Sequence, residues 1–110
     1  MSATKRAVWR DRPLGAIAPL AKLAASVQEA RLNRDMTQEE LAQRTDVSVR
    51  TIRRIESCVR LPDDLTITRL ARILQDGPQE WMGLLREAKA IVRKAGGLDA
   101  FSDDTSGVEV

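Results

Sequence analysis

Histidine is absent from the 110 residues, and Cys58 is the single cysteine. An intrachain disulfide is therefore excluded, and so is a zinc cluster built on cysteine and histidine. No nucleophile–base pair, P-loop or metal-ligand cluster is visible, so the chain reads as a non-enzyme that needs no cofactor. The only aromatics are two tryptophans and one phenylalanine. The core must be aliphatic, which suits packed helices. No apolar run approaches the roughly 20 residues that a membrane span needs. The basic N-terminus is not followed by the apolar core of a secretion signal. A lone thiol fits a reducing cytoplasm, and no internal repeat is visible.

What is present is enough for one domain. Hydrophobic residues make up 43% of the chain, and the net charge is +2. That small figure hides an asymmetry. Asp99, Asp103, Asp104 and Glu109 lie in residues 99–110, which contain no base, so residues 1–98 carry +6. A basic folded part is what a nucleic-acid binder needs.

The densest signals lie between Thr37 and Ser57. Thr37 followed by Glu40 is a capping box, which starts a helix at Gln38, and Met36 and Leu41 sit at its staple positions. Ser48 is a second cap, with Val47 and Ile52 placed to staple the next helix. Only about three residues, Thr45 to Val47, separate the two helices. So short a link makes them cross steeply, as in a helix-turn-helix. At about 100° per residue, Arg50, Arg53 and Arg54 cluster on one side of the second helix, and Ile52 and Ile55 lie nearly opposite. The isoleucines can enter a core only if the three guanidiniums point outward together. Grouping like charges costs energy, and a polyanion relieves it, because guanidinium forks pair with phosphate or with a guanine edge.

This stretch resembles the phage-repressor/Cro-type helix-turn-helix family, also called XRE, over about Leu20 to Leu85. Gln38 opens the first motif helix. Leu41-Ala42 puts a small residue at the helix contact, and Val47, Ile52 and Ile55 fill the apolar positions of the turn and second helix. The resemblance implies a salt bridge between Arg31 and Glu56. It also implies that Gln38 contacts the DNA backbone and can brace the recognition helix. Asp46 stands where the family usually has glycine, at a position that tends to need a left-handed backbone. Asp tolerates that conformation better than most residues.

The expected fold is all-α: a five-helix, repressor-like domain over 14–95, an N-terminal basic arm over 1–13 and an acidic tail over 96–110, both termini flexible. Lys5, Arg6, Arg10 and Arg12 make the N-terminal segment basic; it reads first as a solvated end and second as an arm along the DNA backbone or minor groove. Leu14 to Ala18 is a lead-in turn. The first helix runs from Pro19 to about Arg34, on Leu20, Leu23, Ala24, Val27 and Ala30. The second spans Gln38 to about Arg44, and the third Val49 to about Ser57. Asp63 or Asp64 caps a fourth that runs to about Gln75. Pro78 starts a fifth that Gly96-Gly97 ends. That last helix is longer than a minimal domain requires. Ala88, Ile91, Val92 and Ala95 read as a dimer seam, or else pack on the lead-in of the same chain.

The resulting expectation is a sequence-specific regulator that binds double-stranded DNA, as a homodimer on an inverted repeat. Such helices enter the major groove N-terminus first. Arg50 and Arg54 are then the base readers, Val49 packs on a thymine methyl, and Ser48 lies near the bases. Arg53 reaches a phosphate or a base, and Thr51 lies at the edge of the face. Ser57 and Arg60 are placed for phosphates. The alternative is a protein-interaction module, such as an antitoxin that grips a partner protein and also binds its own operator.

Overall fold

A computed structural model describes residues 14–74 and 78–98. The basic arm over 1–13 and the acidic residues from Asp99 onward lie outside the described part. A short 3-10 turn at Leu14–Ala16 leads into five helices: α1 (Ala18–Asn33), α2 (Gln38–Thr45), α3 (Val49–Glu56), α4 (Asp64–Leu74) and α5 (Pro78–Lys94). No strand occurs among the described residues.

Local chemistry sets most of the boundaries. Thr37 Oγ1 accepts from the Glu40 N–H at 3.0 Å, and Glu40 Oε1 accepts from the Thr37 N–H at 2.9 Å, completing the box at the start of α2. Ser48 Oγ accepts from the Thr51 N–H at 3.1 Å and caps α3. Asp63, not Asp64, caps α4: its Oδ1 accepts from the Thr66 N–H at 2.8 Å. Asp64 instead pairs with Lys89 of α5 at 2.7 Å. α1 begins one residue before Pro19, since Ile17 is its cap residue. α3 ends at Glu56, so Ser57 caps it rather than belonging to it. Several helix ends close through left-handed residues. At the end of α3, Cys58 takes φ 60°, its N–H donates to Ile55, and the Val59 N–H donates to Arg54. This is the two-bond C-terminal motif usually made by glycine.

The core is aliphatic around one tryptophan. Trp81 is 1% exposed, and Leu20, Leu23, Val27, Leu41, Ile52, Ile67, Leu70, Leu74 and Leu85 are buried with it. Burying such a side chain contributes roughly 1.5–3 kcal/mol. Leu14 and Ile17 of the lead-in join the same cluster. α5 packs mainly along α1 and α4. This packing covers part of the stripe over Ala88, Ile91, Val92 and Ala95. Ala88 is 0% exposed and Val92 5% exposed, because the chain itself covers them. Of the four, only Ile91 and Ala95 are partly open.

Candidate nucleic-acid interface

The interface is set by how α3 is held. Ile52 and Ile55 sink into the core, at 0% and 3% exposure. A helix rotated to bury these two must turn its opposite side outward. Arg50 and Arg53 are exposed there, and Arg54 is half-buried. The orientation required by the periodicity is therefore present, with Arg54 nearer the body of the fold than the other two.

The turn before α3 aims it. Thr45 is buried, and its hydroxyl donates to the Leu41 carbonyl at 2.7 Å. Asp46 takes the left-handed conformation, φ 57° and ψ 34°, at the position where the family usually has glycine. The Val47 N–H then donates to the Ala42 carbonyl at 3.3 Å, and buried Val47 anchors the link.

A buried polar network locks the other end. The Arg31 guanidinium grips Glu56 with two bonds, Nε to Oε2 at 2.8 Å and Nη2 to Oε1 at 2.9 Å. Its Nη1 donates to the Met36 carbonyl at 2.7 Å. The hydrogen bond to Glu56 raises the Arg31 pKa above its ordinary value; burial works against that shift, and the charges of Glu56 and Glu39 assist it. Gln38 Nε2 donates to Glu56 Oε1 at 3.1 Å. The Gln38 side chain thus braces α3 from α2. What α2 still turns toward an anion is its first turn of backbone N–H groups, at the positive end of the helix dipole.

The remaining residues of the face are dispersed around α3. Ser48 is exposed, but its hydroxyl is engaged by the cap and by a 2.8 Å bond to Thr51 Oγ1. Val49 and Thr51 are half-buried; Ser57 and Arg60 are exposed. Thr51, Arg54 and Arg60 line a cleft of about 290 Å³ with Ile55, Leu61, Pro62, Asp63 and Thr66, so the loop after α3 and the start of α4 extend the basic face. Glu39 also joins it: Arg53 Nη2 donates to Glu39 Oε2 at 3.2 Å. Sequence reasoning did not single out Glu39, because it lies 14 residues from Arg53 and only the crossing of α2 and α3 brings them together. Among the described residues, no group of three or more histidine, cysteine, aspartate or glutamate side chains is placed to hold a metal ion. No helix among them is long and apolar enough to cross a membrane.

Comparison with curated proteins finds no match, and comparison with solved structures finds none either. A family model described as helix-turn-helix, HTH_3, matches residues 27–81. That span runs from the middle of α1 to the start of α5 and contains the turn, the arginine face and the Arg31–Glu56 clamp. The match covers half of the chain, and the chain therefore belongs to the HTH_3 helix-turn-helix family, DNA-binding transcriptional regulators of the phage-repressor/Cro type.

Proposed function

We propose that this regulator reads a specific duplex sequence with α3 in the major groove, as a homodimer on an inverted repeat, inside the cytoplasm. The observation that carries the reading is the split of α3: two isoleucines sealed in the core, and Arg50, Arg53 and Arg54 grouped on the other side. Arg50 lies in the first turn of α3, where the helix approaches base edges, and Arg54 lies one turn on, beside the cleft. Both act as base readers. Val49 packs on a thymine methyl, and Thr51 and Ser48 lie at the edge of the contact. Arg60, Ser57 and the first turn of α2 contact phosphates and fix the register. Two protomers place their α3 helices about 34 Å apart, in successive grooves. The antitoxin-like alternative loses much of its motive, since half of the supposed free stripe on α5 is covered within the chain.

The test is selection of bound sites from random duplex DNA, followed by titration of variants. The selected site should be an inverted repeat. Arg50→Ala and Arg54→Ala should each weaken binding to it by about 1–3 kcal/mol while changing affinity for unrelated duplex much less. The log–log salt slope should be about −0.9 per phosphate neutralised. Variants that footprint like the wild type would remove the base-reading assignment, and no duplex affinity at low salt would remove the function.

A further inference from the structure

Glu39 is hard to explain as a structural residue. Other carboxylates around the interface have structural partners. Glu40 closes the capping box, and Glu56 is clamped by Arg31 and Gln38. Asp63 caps α4, and Asp64 pairs with Lys89. Glu39 instead reaches across to the outward face of α3 and meets Arg53 at 3.2 Å, with the two side chains 62% and 58% exposed. So open an ion pair contributes little to folding. A carboxylate on a surface that faces a polyanion also opposes binding. The fold does not need this contact, and bulk attraction to DNA is weakened by it.

The geometry accounts for both features. Glu39 holds Arg53 through Nη2 alone. The rest of the guanidinium fork remains for an acceptor, with its direction fixed from behind. Glu39 also lies in the first turn of α2, so its charge weakens the pull of the helix dipole on the phosphates of every duplex alike. Resting on the DNA-binding reading above, we propose that Glu39 is a positioning residue for specificity: it aims Arg53 at base edges and keeps Arg53 off phosphates in non-specific encounters. It lowers affinity for all duplexes through its charge, and restores affinity only where a base accepts from the oriented guanidinium.

The test uses the full chain as wild type, Glu39→Gln, Arg53→Ala and the double variant. Two probes are titrated: the duplex most enriched from a random pool by the wild type, and a shuffled duplex of equal length and composition. Glu39→Gln should bind the shuffled duplex more tightly while gaining nothing on the selected one. The ratio of the two affinities should fall roughly three- to tenfold. In the Arg53→Ala background, the same substitution should change both affinities by one common factor. The thermal midpoint of Glu39→Gln should stay close to that of the wild type. An equal gain on both duplexes in the wild-type background would reduce Glu39 to a diffuse charge and overturn the proposal. So would a fall in the ratio that persists without Arg53. A wild type that enriches no site and binds no duplex would instead bring down the DNA-binding reading itself, and this proposal with it.

Discussion

Arg31 and Glu56 carry two opposite charges into a nearly closed space, with side-chain exposures of 9% and 3%. Such a pair is a weak source of net stability, but removing one member leaves the other charge buried and unpaired. Glu56→Ala strands the Arg31 guanidinium and deprives Gln38 of its acceptor. It should therefore lower unfolding free energy by about 3–5 kcal/mol, whereas Arg31→Met combined with Glu56→Leu should recover most of that loss. Urea unfolding of the three proteins checks this; a double variant no better than Glu56→Ala alone would mean that the network does more than satisfy its own charges. These two residues are 25 positions apart. No local pattern links them, and the pairing was legible only through resemblance to a family. Glu39 and Arg53 had no such guide.

At the scale of the element, most of the fold was written in adjacent residues. The caps at Thr37 and Ser48 act within one turn, so a sequence displays donor, acceptor and spacing together. Asp63 and Asp64 both offered a plausible oxygen at the start of α4, and only the path of the chain selects the first. The stripe on α5 is legible only in part: periodicity reveals which side of the helix is apolar but not what lies against it, and within the chain α1 and α4 pack on α5 and leave Ala88 and Val92 buried. The left-handed turn was legible as a tension, an aspartate at a glycine position, and the structure puts Asp46 at φ 57°. A Cβ in that conformation costs roughly 1–2 kcal/mol, less for aspartate, and glycine gives some of the gain back through the freer unfolded chain. Asp46 is exposed, and its contact from Arg69 Nη1 is to the backbone carbonyl at 3.4 Å, which glycine retains. Asp46→Gly should accordingly stabilise the protein by no more than about 1 kcal/mol. Asp46→Val should destabilise it, because a branched Cβ suits that backbone least. Denaturant midpoints at unchanged m-value decide the matter; a neutral Asp46→Val would show that the turn is not under this strain.

The whole molecule titrates in an unusual way because it has no histidine. No side chain has an ordinary pKa between about 5 and 8. Among the described residues, two groups contribute to the acid limb. The hydrogen bonds from Thr37, backbone first, hold Glu40 below its usual pKa, and those from the Thr66 side chain and backbone do the same for Asp63. A carboxylate whose pKa is depressed by folding stabilises the fold above its unfolded value, near 4, and loses that contribution as the pH falls through the folded value. Burial pushes the Cys58 thiol up. That group favours the fold while protonated, and its contribution is lost as the pH rises through the raised value. The proposed interface is built on arginine, a residue type that carries no titration in this range. Stability and duplex affinity should therefore both be level from about pH 5.5 to 8, with stability falling below about pH 4. Glu40→Ala with Asp63→Ala should lower the plateau and flatten the acid limb, since both depressed carboxylates are then gone. Unfolding free energy measured at intervals across this range tests the account. A transition in stability or binding centred near pH 6.5 would require a titrating side chain that this sequence lacks, and would point to a second molecule supplying it.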